Sequence, residues 1–401
     1  MGSNSFERLP ALVFADEAMA AELAALDDPA VLAVRAARLV GAGDGCDFDA
    51  AGNDPLGLSR WSPPPLTGRT VPPRHWLPIQ VNAGVDITVD WAWFGPKPLR
   101  ESFYEDSIRR TLTSPFARLF RYRTTLGDLL AQADAVPSRA PDGFIFHMSR
   151  CGSTLVAQML AALPDSIVVS EAAPIDTVTH LARAADDGNS DIAVRALRAI
   201  VATLGRCRAG DERRYVIKLD SWHALALPLL RRAFPEVPWV FLYRDPVEVL
   251  VSQMRQRGTQ MLPQMLPPRF YGIDDDALVP DAEYCARVLA AICTAAADNA
   301  ELGGGLMIDY RELPEAVTSR IMPHFGIAAG AAERAAMAAA AARDAKAPAR
   351  EFAADGAAKQ REPSEAVRQA AERHLDEIHR RLARASAGYR SSISMQMESP
   401  R

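Results

Sequence analysis

The chain has 401 residues, of which 49% are hydrophobic and 24% are charged, and its formal net charge is −5. This is the composition of a globular protein with a full core, and the length predicts more than one domain and fewer than three. Wholesale disorder, collagen-like repeats and coiled-coil architecture are excluded. The acidic balance argues against a protein that wraps nucleic acid, so we expect no nucleic-acid partner.

The cysteines and the N-terminus indicate the compartment. Five cysteines are an odd number, and they are scattered without a C-x-x-C pair. This pattern predicts free thiols in a reducing compartment, with no disulfide framework and no structural zinc. Acidic and basic residues precede any apolar run, which is not typical of a signal peptide, and no apolar stretch is long enough to span a membrane. We expect a cytoplasmic protein without a membrane partner, of undetermined oligomeric state.

The N-terminal third has mixed patterns. Residues 10–40 alternate apolar and charged side chains at helical spacing, which predicts two short amphipathic helices. Residues 41–75 are rich in proline and glycine and predict a loop or extended chain. Residues 85–91 alternate strictly and predict a strand. The aromatic cluster that follows this strand predicts a core or a domain interface.

A polar stretch at 131–142 marks a predicted boundary, after which strands and helices alternate. The predicted strands are 143–148, 167–170, 214–219, 239–243 and 305–309. Such alternation predicts an α/β fold, a three-layer doubly wound parallel sheet, beside a smaller α+β N-terminal region. We divide the chain into an accessory region (1–138) of unknown role, an α/β domain (139–390) and a polar tail (391–401).

The turn after the first of these strands is a candidate phosphate site. Unpaired backbone N–H groups and the helix dipole at a strand–turn–helix junction attract an anion. Gly152 permits close approach of the backbone, Ser153 and Thr154 offer hydroxyls, and Arg150 adds a positive charge. The alternative interpretation is a strand–turn–helix junction that binds no ligand.

This turn is not a standard nucleotide-binding P-loop. The motif G-x-x-x-x-G-K-[ST] requires glycine where His147 stands and lysine where Ser153 stands. The missing lysine removes the usual clamp on the β and γ phosphates. A nucleotide kinase or NTPase with a degenerate loop therefore stays as an alternative function.

A second candidate anion site follows the strand 239–243. Asp245 is a good N-cap residue, and Pro246 stands at the first helical position. Arg244 leaves the carboxyl end of the strand, where open α/β sheets bind ligands. Ser252 lies about two helical turns further on, so the pair offers a site for a second phosphate. A simple helix start is the other interpretation.

Four stretches together resemble the PAPS-dependent sulfotransferases over residues 140 to 390. Met148-Ser-Arg-Cys-Gly-Ser-Thr-Leu155 resembles their 5′-phosphosulfate loop, P-[KR]-S-G-T-[TS]. Residues 244–252 resemble their 3′-phosphate motif, in which a serine follows R-[DN]-P. Lys218 matches a lysine at a strand end, and 308–313 is similar to a Y-E-D-L stretch. The order and the spacing of all four agree.

The resemblance implies a P-loop-like fold and a function. It implies transfer of a sulfuryl group from PAPS to a hydroxyl or amine of an unidentified acceptor, with release of PAP and without a metal. Arg150 and Lys218 would neutralise the bridging oxygen of the donor. Arg244 and Ser252 would hold the 3′-phosphate, and Tyr310 would contact the adenosine.

The sequence departs from the family pattern at several positions. Ser149 replaces the usual proline, and Cys151 in the loop replaces a serine. We interpret Cys151 as a small-residue substitution, the alternative being a reactive thiol whose pKa is lowered by the helix N-terminus. Asp220 stands where the cytosolic branch has a catalytic histidine. The glycine-rich 3′-phosphate segment has no clear match, and Lys359 is the best candidate for a remnant. A non-catalytic module that binds PAP or PAPS is therefore a further alternative.

A general base must take the proton of the acceptor. Glu171 follows the predicted strand 167–170 at the carboxyl edge of the sheet, and we favour it. Asp220 is the second candidate. His223 is the third, and a role in helix packing is an equal interpretation for it. We interpret the remaining candidate histidines as packing or surface residues: His147, His180 and His324.

Overall fold

The computed structural model describes seven segments of the chain. They are residues 9–41, 65–133, 137–184, 191–274, 279–345, 347–351 and 363–398. The chain divides into two compact units. The first unit is residues 1–140 with 172–212, and the second is residues 141–171 with 213–401.

The strands and helices of the described segments are as follows. The strands are β1 (Leu66–Thr67), β2 (Trp76–Asn82), β3 (Thr88–Trp93), β4 (Tyr122–Thr125), β5 (Gly143–His147), β6 (Ser166–Ser170), β7 (Arg214–Lys218), β8 (Trp239–Tyr243), β9 (Gly305–Asp309), β10 (Arg343–Asp344) and β11 (Ala347–Glu351). The helices are α1 (Leu9–Ala15), α2 (Glu17–Ala24), α3 (Pro29–Leu39), α4 (Tyr104–Thr111), α5 (Pro115–Leu119), α6 (Leu126–Gln132), α7 (Ser153–Ala161), α8 (Ala173–Ala184), α9 (Asp191–Leu204), α10 (Leu227–Ala233), α11 (Pro246–Arg255), α12 (Asp281–Asp298), α13 (Met322–His324), α14 (Ala331–Ala341), α15 (Glu365–His374) and α16 (Asp376–Glu398). None of these helices is both long and apolar enough to cross a membrane.

The N-terminal helical region contains three helices where the sequence predicted two. The extra break arises because two aspartates begin new helices. Asp16 accepts a hydrogen bond from the Met19 N–H at 3.0 Å and begins α2, and Asp28 accepts one from the Ala30 N–H at 2.8 Å and begins α3. A side chain that satisfies the free N–H groups of a first turn fixes the start of a helix.

A four-stranded sheet in the order β1-β4-β3-β2 forms the centre of the first unit. The strand predicted at 85–91 begins only at Thr88, and Val85 before it is fully exposed. Its antiparallel partner β2 was not predicted. Pro78 interrupts the alternation of β2, and the register shifts between Pro78 and Gln80.

The predicted aromatic cluster belongs to the core of the first unit. Trp91 is fully buried and donates a hydrogen bond from Nε1 to the Thr124 hydroxyl at 3.0 Å. Trp76 packs edge-on against Phe14, with 5.0 Å between the ring centroids. Aromatic side chains bury large apolar areas, so this cluster is a main source of stability in the unit.

Two buried arginines hold the chain of the first unit together. Arg206 is 2% exposed and donates from Nη1 to the Pro73 and Trp76 carbonyls at 3.1 and 2.7 Å. Its guanidinium also lies 5.3 Å from the Trp91 ring centroid. Arg208 donates to the Gly95 and Lys97 carbonyls at 2.8 and 2.7 Å. Residues after α9 are thereby tied to both sides of the β2–β3 hairpin.

The second unit contains a five-stranded parallel sheet in the order β6-β7-β5-β8-β9. All five predicted strands are present within one residue at each end. From the central strand β5 the chain passes to the edge strand β6, returns to β7 between them, and then crosses to β8 and β9 on the other side. The predicted α/β fold with a separate N-terminal region is confirmed.

Two predicted helices of the second unit are divided. The helix predicted at 222–234 is a 3-10 turn (Ser221–Ala226) followed by α10, because Pro228 occupies the first turn of α10 and cannot donate to the preceding turn. The helix predicted at 364–384 is α15 and α16, joined at Leu375.

The buried contacts of Arg206 predict a stability effect. We expect Arg206→Ala to destabilise the protein by about 2–4 kcal/mol, because two buried carbonyl groups lose their donor and a cavity opens beside Trp91. The midpoint of urea denaturation measures this effect. Arg195→Ala on the exposed face of α9 is the control and should shift the midpoint little. Equal shifts for both variants would contradict the role of Arg206.

Candidate active site

The residues predicted to form a site lie at one edge of the second unit. The strands are parallel, so their carboxyl ends meet there, and the connections from the adjacent strands β5 and β8 leave in opposite directions. Open sheets bind ligands at such a point. In chain order, the turn 149–152 follows β5, Glu171 follows β6, Lys218 ends β7, Arg244 follows β8 and Tyr310 follows β9. Lys359 lies outside the described residues.

The turn after β5 has a left-handed backbone. Its φ angles are 84° at Ser149, 53° at Arg150 and 83° at Gly152. A Cβ at Gly152 would lie 2.8 Å from the Leu313 side chain and 3.0 Å from the ring of Tyr310. The turn therefore requires glycine here for two reasons, the backbone conformation and the close approach of neighbours.

Buried polar side chains hold Ser149 in its left-handed conformation, which costs a non-glycine residue about 1–2 kcal/mol. The Ser149 N–H donates to His147 Nδ1 at 3.0 Å. The Ser149 hydroxyl accepts hydrogen bonds from Gln253 Nε2 at 3.1 Å and Gln260 Nε2 at 2.8 Å. Both glutamines are buried. The serine that replaces the family's proline is thus held by three hydrogen bonds with its neighbours in the fold. No sequence motif indicated that Gln260 takes part.

Ser153 and Thr154 begin α7, and both side chains are buried. Arg150 donates from Nη2 to the Gln256 carbonyl at 2.8 Å, and burial lowers the pKa of its guanidinium. An arginine retains its charge under this shift, since its ordinary pKa is above 12. The turn therefore combines a helix N-terminus with a fixed positive charge, as the sequence predicted for an anion site.

An ion pair joins the ends of β6 and β7. Lys218 is fully buried, and its ammonium donates to Oε1 of Glu171. The Glu171 N–H donates to the Lys218 carbonyl at 2.7 Å, so the backbone fixes the same two residues side by side. Glu171 has a left-handed φ of 54°, which marks a residue held by its surroundings.

The charge state of this pair follows from its neighbours. Burial alone would raise the pKa of Glu171, but the positive charge of Lys218 and the neighbouring ring of His147 outweigh it, and the pKa lies well below its ordinary value. Burial lowers the pKa of His147. At neutral pH Glu171 is thus a carboxylate and His147 is a neutral imidazole.

Arg244 and Tyr310 form a second cationic position. Arg244 is 5% exposed and donates from Nε to Glu248 at 2.6 Å. Its guanidinium carbon lies 4.0 Å from the centroid of the Tyr310 ring, the same ring that approaches Gly152. A guanidinium over an aromatic face is a favourable contact. Ser252 lies half-buried on α11, two turns after Arg244.

The other two candidates for a general base lie just beyond β7. Asp220 is 8% exposed, and its N–H donates to Nδ1 of His223 at 3.2 Å. His223 is buried at the start of the 3-10 turn. These contacts cap the turn, which gives His223 a structural function. Glu171, the first candidate, pairs with Lys218.

The environment of Cys151 contradicts a reactive thiol. Its side chain is fully buried and donates from Sγ to the Leu242 carbonyl at 3.1 Å. Burial raises the pKa of Cys151 to about 12, so the helix N-terminus and Arg150 do not produce a thiolate. The interpretation as a small buried residue agrees with the structure.

The histidines differ from one another. His324 contacts the Gly304 carbonyl at 2.8 Å, and His180 contacts the Asp176 carbonyl on its own helix at 3.0 Å, as packing residues do. The interpretation of His147 as a packing or surface residue stays a prediction, and the His147 side chain is buried. It belongs to the cluster of Lys218 and Glu171, because the end of β5 lies beside the end of β7.

The second unit thus combines a parallel sheet with a left-handed turn and buried cationic side chains at its carboxyl edge. Residues 141–330 match the model of the sulfotransferase family. The resemblance predicted from the motifs is therefore confirmed for this segment. No family model matches the N-terminal region.

Several solved structures are similar to this chain. Sulfotransferase STF9 from Mycobacterium avium is 14% identical, and the match covers 52% of this chain and 69% of that one with a TM-score of 0.34. The sulfotransferase domain from the curacin biosynthetic pathway is 15% identical, with 62% and 99% covered and a TM-score of 0.36. Mouse sulfotransferase SULT7A1 complexed with PAP is 13% identical, with 68% and 94% covered and a TM-score of 0.33. A comparison with curated proteins gives no match.

Substitutions of Ser149 test how the turn is held. We expect Ser149→Pro, the residue usual in the family, to be the most harmful. Proline fixes φ near −65°, which the observed 84° excludes, and it also lacks the N–H that His147 accepts. Ser149→Ala keeps that N–H and loses only the hydroxyl, at about 1–3 kcal/mol.

The midpoints of thermal unfolding of the wild type, Ser149→Pro and Ser149→Ala rank these effects. Ser149→Gly is the matched control, since it permits the left-handed backbone and lacks the hydroxyl as alanine does. A proline variant as stable as the alanine variant would show that the turn does not need this conformation.

Alkylation tests the environment of Cys151. Iodoacetamide at pH 8 should leave Cys151 unmodified in the native protein, because the thiol is buried and protonated well below its pKa of about 12. The partly exposed Cys207 should react before Cys151. Peptide mapping by mass spectrometry measures both, and the urea-unfolded protein, in which both react, is the control. Equal native labelling of the two thiols would contradict the assignment.

Proposed function

We propose that this protein is a sulfotransferase that moves a sulfuryl group from PAPS to a hydroxyl or amine of an acceptor. One observation carries the proposal. The fully buried Lys218, paired with Glu171, lies beside the strand that leads into the left-handed turn 149–152, within the segment that matches the sulfotransferase family. A buried ion pair next to an anion-binding turn is costly for stability and is typical of a catalytic site.

The site suits a donor that carries two separate anionic groups. The turn 150–154, including Cys151 through its backbone, would hold the 5′-phosphosulfate, with Gly152 allowing close approach. Arg244 and Ser252 would hold the 3′-phosphate, and the Tyr310 ring beside them would contact the adenosine. PAPS supplies the activated sulfuryl group, and PAP is released. Arginine is well suited to bind phosphate because its donors match the oxygen geometry.

Lys218 and Glu171 would carry the chemistry. The ammonium of Lys218, with Arg150, would stabilise the negative charge that grows on the leaving oxygen. Glu171 would take the proton of the acceptor. Because burial alone raises the pKa of Glu171 and Lys218 lowers it, movement of the ammonium toward the donor would make the carboxylate a stronger base. Donor binding would then activate the base.

Calorimetric titration tests the donor. We expect PAP to bind without a metal and far more tightly than ADP, because only PAP carries the 3′-phosphate. ADP and ATP, each with and without Mg²⁺, are the controls. A preference for ATP with Mg²⁺ would contradict the proposal and favour a nucleotide kinase. Binding of PAP without product formation from PAPS across a panel of acceptors would favour a binding module.

Glu171→Gln tests the base. Glutamine keeps the shape and an oxygen for Lys218 but accepts no proton, so turnover should fall by about 10²–10⁴-fold. PAP affinity should stay near that of the wild type. Asp220→Asn is the matched comparison and should lose far less. The opposite order of the two variants would assign the base to Asp220.

A further inference from the structure

The proposed function leaves His147 without a role, although this side chain is buried at the centre of the site. It ends β5 directly before the turn and is 6% exposed. Both ring nitrogens have polar neighbours. Nδ1 lies 3.0 Å from the Ser149 nitrogen, and Nε2 lies 3.0 Å from the Leu219 carbonyl and 3.5 Å from Oε1 of Glu171.

These contacts define the tautomer of His147. The Ser149 N–H can only donate, so Nδ1 must present its lone pair. The proton of the neutral ring is then on Nε2, which donates to the Leu219 carbonyl and lies 3.5 Å from Oε1 of Glu171. A neutral imidazole also avoids a second positive charge beside Lys218.

The two nitrogens serve two different parts of the site. Through Nδ1, the ring holds the backbone of Ser149, and with it the left-handed start of the anion-binding turn. Through Nε2, the ring contacts the chain after β7 and the carboxylate after β6. A residue that only filled space would need neither nitrogen.

We propose that His147 is a positioning residue that fixes the anion-binding turn with Nδ1 and the carboxylate of Glu171 with Nε2. The second half of this proposal rests on the proposed function, since it assigns Glu171 as the base. His147 itself exchanges no proton with the substrates. It sets the distance between the donor-binding turn and the base.

Two isosteric variants separate the two contacts. The amide oxygen of His147→Asn can replace Nδ1 and accept from Ser149, but nothing replaces Nε2. The amide nitrogen of His147→Gln can replace Nε2, but nothing replaces the acceptor at Nδ1. His147→Ala removes both.

We expect a split between binding and turnover. His147→Asn should bind PAP within about 3-fold of the wild type and lose about 10–100-fold in kcat, because the base is misplaced. His147→Gln should retain most of kcat and bind PAP about 10-fold more weakly, as expected for one lost hydrogen bond at the turn. Calorimetry and steady-state kinetics measure the two parameters.

Other outcomes overturn either proposal separately. Proportional losses of affinity, kcat and stability in all three variants would make His147 a structural residue only. A wild-type protein that binds no PAP would overturn the proposed function, and the assignment of Glu171 with it. Should the variants not fold, nitrogen-15 NMR of histidine-labelled wild-type protein at pH 7 decides the first half. A neutral ring protonated at Nε2 supports the tie to the turn, and an Nδ1–H or charged ring contradicts it.

Discussion

The ion pair of Lys218 and Glu171 is the contact on which the candidate site depends. A fully buried ammonium is unstable without a partner, since the loss of hydration costs several kcal/mol. The carboxylate that compensates it comes from a neighbouring strand, and a backbone hydrogen bond between the same residues fixes the register. The sheet therefore places the two charges side by side. In a catalytic role, such preorganisation avoids rearrangement during the reaction.

The turn 149–152 depends on neutral polar groups rather than on charges. Two consecutive non-glycine residues adopt left-handed conformations there, and this strain persists because His147, Gln253 and Gln260 hold Ser149 from three sides. Each of these contacts is buried, where an unsatisfied polar group costs more than an exposed one. The serine thus requires a different support from the proline that the family pattern has at this position.

The core of the first unit and the candidate site belong to different compact units. The first unit is stabilised by an aromatic core and by Arg206 and Arg208, which donate hydrogen bonds to backbone carbonyls. Every predicted site residue within the described segments belongs to the second unit, at the carboxyl edge of the parallel sheet. The chemistry that we propose is therefore carried by the unit that contains most of the family match.

The sequence by itself determined the features that depend on neighbouring residues. The five apolar strands and the capped start of α11 at Asp245 are local, so both patterns can be read from the sequence. The sequence also pointed to Gly152, but the close approach of Leu313 and Tyr310 to this glycine belongs to the tertiary structure. The sequence did not predict β2, because Pro78 interrupts its alternating pattern. The capping residues Asp16 and Asp28 divide the N-terminal region into three helices where two were predicted. Tertiary structure alone decided which distant side chains meet. Glu171 and Lys218 are 47 residues apart, and Ser149 and Gln260 are 111 apart. Burial, which also requires the folded chain, decided that Cys151 is a protonated thiol and that His147 lies within the site.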